Sequence, residues 1–399
     1  MPSPYHHRDP GAASARLMDS AQRAGYGSDV REERQRDVAQ LLERAVTAGC
    51  APGWSALASR AGEGGVAWVA GQVAVGGAPV AADVRFDLAS LTKPLATTTL
   101  MLLARRDGLD LECPLAEVVP ELAASPWGQA RIWHCLTHTA GFPAWAPLYA
   151  VGTASADGYV EALRRVEPVA PAGVRVEYSC LGFIVLGILL ERGFGLPLSE
   201  LFTQLVAQPL GIADELGFAP PCETPVAAGQ RIPTVERRLL AERGVAADPP
   251  PALFGVHSCD DGNARALGGA AGNAGLFGTA AAVARLAAEY LPGGGELLTA
   301  AESELACRCW TAGLEQARGL GWQLAATPGC SAGPALPPDA VGHTGFTGTS
   351  VWIDRQRAVI LVLLGNRLHP AGQTPDLHPL RRRFHALAVQ VVENRRAPR

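Results

Sequence analysis

Ser90-Leu91-Thr92-Lys93 is the stretch of this chain best suited to covalent chemistry. A serine and a lysine three residues apart share one face of a helix, so the amine can reach the hydroxyl. Phe86-Asp87-Leu88 before them reads as a strand, and the residues after them read as a helix with Pro94 in its first turn, where a missing N–H costs little. The partial positive charge of a helix start, together with burial, is expected to lower the lysine's pKa, as a base requires. Composition singles out the same position. Of the 34 basic residues 33 are arginine, and Lys93 is the single lysine. Both residue types serve as solvated charge, but only lysine can lose its proton near neutrality. The bland alternative is a capping serine beside an exposed lysine, and the strand-to-helix context favours the catalytic pair.

Two further stretches could supply partners. Tyr178-Ser179 follows a turn at Pro171-Ala-Gly173 and precedes an apolar helix, a junction from which a phenol can project into a cleft and relay a proton. Alone, Tyr178 reads more readily as an interface aromatic. His343-Thr344-Gly345-Phe346 reads as the start of a strand. A cation or donor at His343, with Thr344 beside it and Gly345 allowing close approach, suits a substrate carbonyl or carboxylate. Other motifs have weaker contexts. Gly329-Cys-Ser331-Ala-Gly333 matches a nucleophile elbow, but prolines surround it and too little chain follows. His134 and His138 stand four apart and are expected to hold a loop; Cys307 and Cys309 lack a second ligand pair. No metal site and no cofactor motif is expected.

The elements that must position these groups follow a clear order. Residues 1–33 are polar and aperiodic and read as a mobile tail. A helix is expected over 34–48, then strands at Gly53–Ala58, Val66–Val73 and Val84–Leu88, then a long helix from Ser90 to Arg106. Residues 109–289 read as helices and loops, with Leu181–Arg192 apolar all round and 219–262 a surface excursion. Strands return at Gly342–Ile353 and Ala358–Leu364, read as one hairpin, before a helix over Leu380–Asn394. The expectation is an α+β fold: one antiparallel sheet flanked by N- and C-terminal helices, with a mostly helical insertion over it and a cleft between. One catalytic domain would cover 34–395, its α/β half being 34–108 plus 290–395 and its helical half 109–289. The chain has 399 residues, 48% hydrophobic, 18% charged and with a net charge of −4, which disfavours disorder, nucleic acid and anionic membrane partners. Nine scattered cysteines read as reduced thiols. With no apolar leader and no spanning run visible, a cytoplasmic location is expected.

Taken together, the motifs resemble the penicillin-recognising serine hydrolases, in the branch of class C β-lactamases, DD-peptidases and their esterase relatives. Ser90, Tyr178 and His343 follow one another at separations of 88 and 165 residues, similar to that family's order and spacing. Leu136-Thr-His-Thr-Ala-Gly141, Leu267-Gly-Gly-Ala-Ala-Gly272 and Gly342-His-Thr-Gly-Phe-Thr-Gly-Thr-Ser350 add to the likeness, which spans about residues 36–392. The resemblance implies that Ser90 attacks an acyl carbonyl while Lys93 and Tyr178 take and return the proton. It implies an oxyanion hole from the N–H groups of Ser90 and Phe346, and a substrate-carboxylate contact at Asn366-Arg367. Two positions depart from the pattern. Cys180 stands where the family has asparagine, and a thiol cannot replace that amide toward peptide or lactam substrates. Asn273 stands where relatives often have histidine. The expectation is therefore a hydrolase of a small-molecule acyl substrate with esterase-like preference. An acyltransferase, a β-lactamase or DD-peptidase, and a non-catalytic binding module are the alternatives.

Overall fold

The computed structural model describes residues 31–61, 64–151, 153–250 and 258–393. The expected mobile tail lies outside these, except that residues 31–33 already belong to the first helix, which runs over 31–47. Among the described residues nine strands follow in chain order: β1 (Gly53–Arg60), β2 (Gly64–Gly71), β3 (Phe86–Asp87), β4 (Leu216–Phe218), β5 (Leu276–Gly278), β6 (Gln323–Leu324), β7 (Val341–Thr344), β8 (Ser350–Asp354) and β9 (Val359–Gly365). Six form one antiparallel sheet in the order β2-β1-β9-β8-β7-β6, so early and late strands do join as expected. The other three form a small sheet, β3-β5-β4.

The sequence of β9 explains the layering. Val359, Leu361 and Leu363 pack on one side with Trp54, Trp352 and residues of the two terminal helices, 31–47 and His378–Glu393. Ile360, Val362 and Leu364 pack on the other side with the helical half. Strand side chains alternate faces, so an unbroken apolar run is what a strand buried on both faces requires. Each large apolar side chain fully buried this way is worth roughly 1.5–3 kcal/mol. The helix Ala280–Ala287, expected in the helical half, packs against β1 and β9. Leu181–Phe194 is buried over its first ten residues, Leu181 to Leu190, and forms the spine of the helical half.

Several expected boundaries move. The strand expected over Val84–Leu88 shortens to Phe86–Asp87 and pairs in the small sheet, because Leu88 onward must turn into the helix. The strand expected over Gly342–Ile353 is two strands, β7 and β8, folded back at Gly345–Thr349; His343 and Thr344 therefore end a strand instead of starting one. The long helix after Ser90 is a composite: a 3-10 turn at Ala89–Leu91, a π segment at Lys93–Thr98, α-helix at Thr99–Ala104 and a closing 3-10 turn. The excursion over 219–262 contains a helix, Thr234–Glu242, that reaches the cleft. Among the described residues no single helix is long and apolar enough to cross a membrane, and all nine cysteines are free.

Candidate active site

Ser90 is presented by a strained turn. Ala89, just before it, has φ +47, a left-handed conformation that costs a non-glycine residue on the order of 1–3 kcal/mol. The Ala89 N–H donates to Asp87 Oδ1 at 2.8 Å, which holds the turn closed. Ser90 is half-buried at the edge of a cavity of about 890 Å3.

Lys93 lies below it and is wholly buried. Its Nζ donates to Ser90 Oγ at 3.0 Å, to the Asn273 carbonyl at 3.1 Å and toward Cys180 Sγ at 3.4 Å. The Tyr178 and Phe183 rings stand 5.2 and 5.8 Å from the nitrogen. Burial pushes Lys93 toward the neutral amine, but Cys180 and Tyr178 push the other way and prevail, so its pKa is raised. This corrects the expected lowered value. The helix start and burial were weighed correctly in sign, and the two acidic partners across the cleft were not visible from the local sequence. The departure at Asn273 also resolves: the lysine reads that residue's backbone carbonyl, which any side chain would leave in place.

Tyr178 and Cys180 border the same cavity, on the loop leading into Leu181–Phe194. His138 holds that loop, since its Nδ1 accepts from the Ser179 N–H at 3.1 Å and its ring lies 4.6 Å from the Tyr178 ring. His134 Nδ1 likewise accepts from the Arg131 N–H at 2.9 Å. Both histidines therefore hold loops, and among the described residues no group of three or more candidate ligands could hold a metal ion. Ser331 sits in a turn with no strand before it or helix after it.

The opposite wall is the turn after β7. A Cβ at Gly345 would collide with the Thr349 hydroxyl and the Leu88 carbonyl, so only glycine lets this turn close against the serine segment. Thr347 and Thr349 donate their hydroxyls to the carbonyls of Asp87 at 2.6 Å and Leu88 at 3.1 Å. Phe346 is 46% exposed at the cavity edge, and among the described residues nothing accepts from its N–H. Arg367 holds the following peptide, donating to the Phe346 carbonyl at 2.7 Å.

Two expectations on this wall need correction. His343 is not a cation: burial, then the nearby Lys93 and Arg318, hold its pKa well below the usual value, and its Nδ1–H donates to the Thr344 carbonyl at 2.9 Å. Arg318 is a cation that borders the cavity; its guanidinium carbon is 5.8 Å from the Tyr178 ring, and burial pulls its pKa down to about 10. Asn366 does not face the cavity. Its amide is consumed by backbone, accepting from the Gly53 N–H at 2.9 Å and donating to the Val73 and Ala228 carbonyls at 3.0 and 3.2 Å. The residues that sequence reasoning missed are Arg318 and Arg381, which border the cavity, and Asp87 beneath the serine turn. One arginine among 33 carries no local signal; Asp87, three residues before the serine, could have been read as a turn acceptor.

Comparisons with known proteins place the chain in a family. The Beta-lactamase family model matches residues 38–386. A putative D-alanyl-D-alanine carboxypeptidase of Escherichia coli (strain K12) is 30% identical over 325 residues, covering 74% of this chain and 71% of that protein. Its namesake from Salmonella agona (strain SL483) is 28% identical over 327 residues, covering 74% and 72%. Among solved structures, EstCE1, a hydrolase with promiscuous acyltransferase activity, superposes with a TM-score of 0.70 at 23% identity over 90% of this chain and 99% of that one. D-amino acid amidase from Ochrobactrum anthropi SV3 does so with 0.66 at 19% identity over 91% and 98%, and a class C beta-lactamase with 0.67 at 19% over 90% and 96%. The chain belongs to the beta-lactamase family of serine hydrolases.

Proposed function

We propose that this protein is an acyl hydrolase working through a Ser90 acyl-enzyme, with esterase-like preference for small acyl substrates. The observation that carries the reading is the buried Lys93 nitrogen. It is bonded to the serine hydroxyl, a thiol and a carbonyl, with no carboxylate in salt-bridge range among the described residues. A cation so placed is held for proton traffic with the hydroxyl. In the reaction the Ser90 oxygen attacks the acyl carbon and its proton passes to the Tyr178–Lys93 pair. The N–H groups of Ser90 and Phe346 receive the developing oxyanion. The pair returns the proton to the leaving group, and water then cleaves the acyl-enzyme by the same route.

Cys180 supports the ester preference, since a thiol offers a substrate amide far less than the asparagine side chain does. A second reading, a peptidase acting next to a terminal carboxylate, is favoured by one observation. Arg318, Arg367 and Arg381 all border the cavity, and none is ion-paired with a carboxylate among the described residues. The test is fluorophosphonate labelling with peptide mapping, followed by turnover of p-nitrophenyl acetate and of a peptide ending in D-alanyl-D-alanine. Labelling at Ser90 with faster ester turnover supports the first reading, and faster peptide turnover the second. Labelling elsewhere, or none, overturns both. Added alcohol acceptors would reveal acyl transfer as an ester product in place of the acid.

A further inference from the structure

Asp87 lies behind the nucleophile, touches no part of the cavity, and makes more connections to the site than any role in burial requires. Its Oδ1 accepts the N–H of Ala89, the residue held at φ +47 immediately before Ser90. Its Oδ2 accepts the N–H of Asp260, which borders the cavity on the far side, at 2.7 Å. Its backbone carbonyl receives the Thr347 hydroxyl, one residue past Phe346. One residue thus ties together the serine turn, the Phe346 turn and the Asp260 loop.

We propose that Asp87 is a positioning residue for acylation: its carboxylate holds the strained Ala89 turn that aims Ser90 and locks that turn to the Phe346 and Asp260 segments. The proposal rests on the Ser90 acyl-enzyme reading. A left-handed alanine persists only where its surroundings hold it there, and loss of the Asp87 acceptor removes the bond made to its own N–H. Relaxation moves the Ser90 hydroxyl and the Ser90 N–H together, so both the attack and the oxyanion contact suffer. A displacement of about 1 Å costs up to roughly 100-fold in rate.

The charge matters as well as the shape. Asp87 faces Asp260, Asp261, Cys259 and Arg265. Burial, and then Asp87 itself, raise the Asp260 pKa, and burial likewise raises that of Asp87. The pair therefore takes up a proton above the ordinary carboxylate range, and the turn loosens as it does so.

The test uses the full chain with p-nitrophenyl acetate and a fluorophosphonate probe. Asp87→Asn keeps an acceptor for Ala89 but opposes an N–H to that of Asp260. It is expected to lower kcat and the labelling rate about 10- to 100-fold while KM moves by less than about threefold. It should also shift the acid limb of the rate profile to lower pH, since Asp260 loses its like-charged neighbour. A purely structural role leaves that limb in place. Asp260→Asn is expected to shift it the same way, and keeps the test decisive where Asp87→Asn does not fold. Folded Asp87→Asn with kcat within about twofold of wild type, or with an unmoved limb, overturns the proposal. Failure of the wild-type protein to label at Ser90 instead overturns the acyl-enzyme reading beneath it.

Discussion

Two buried cations stand on either side of the Asp87 turn and are held in opposite ways. Arg265 is paired with Glu236 at 2.5 Å, with both side chains under one-tenth exposed, and it also donates to the Cys259 carbonyl at 3.0 Å. Lys93 is equally buried, yet its partners are a hydroxyl, a thiol and a carbonyl. A carboxylate fixes a cation's charge and place, whereas the hydroxyl and thiol beside Lys93 carry protons of their own that can be exchanged with it. Arginine suits the first task because it keeps its charge and presents a planar fork, and lysine suits the second. The single lysine of the chain thus stands at a buried position beside a hydroxyl and a thiol, where an arginine would keep its charge at any pH.

The comparison can be broken in graded ways. Ser90→Ala should remove turnover of p-nitrophenyl acetate by about 10⁴-fold or more, with unfolding unchanged; persistent activity would mean that Lys93 serves another nucleophile. Lys93→Arg should cost about 10²- to 10³-fold in kcat despite keeping the charge. The longer planar group cannot meet three acceptors placed 3.0 to 3.4 Å from the amine. Near-normal kcat in this variant would erase the distinction between the two cations. Glu236→Gln acts on the other centre: it should cost about 3–5 kcal/mol in chemical unfolding, because Arg265 is left buried and uncompensated. The folded fraction should still label at Ser90. Cys180→Asn should raise hydrolysis of a chromogenic cephalosporin by about tenfold, one hydrogen bond's worth, and an unchanged rate would show that the thiol is not what limits lactam turnover.

The smallest effect concerns acid. Burial lowers the pKa of both His134 and His385 to about 4 from the ordinary 6.5. The unfolded chain therefore binds more protons in that interval, so their contribution is complete above 6.5 and is lost as pH falls toward 4. Urea midpoints should decline across that window. His385→Phe should flatten the decline, and an identical slope in that variant would show that the buried ring is not its source.

Much of the site was legible because its elements are local. Ser90 and Lys93 are bound to one another by helical spacing, and Gly345 announces a close approach wherever it occurs. The apolar alternation that puts β9 between two layers is visible in its seven residues. What was misread was decided across the fold. His343 has the residue type of a cation, yet burial, and then Lys93 and Arg318 brought beside it from distant segments, keep it neutral. Asn366 has a side chain able to bind a carboxylate, yet three backbone groups from β1, Val73 and Ala228 exhaust it.

The single strand expected over Gly342–Ile353 is two because the Phe346 turn must reach the carbonyls of Asp87 and Leu88, 260 residues earlier. By itself the sequence determined the Ser90–Lys93 pairing and the joining of early and late strands in one antiparallel sheet, since short-range geometry and hydrophobic period act between neighbours in the chain. Only the tertiary structure decided the protonation of that lysine, which arginines border the cavity and the strain in the serine turn. Each of those depends on charges and hydrogen bonds that meet in space from separate parts of the chain, where low dielectric and loss of water give them their strength.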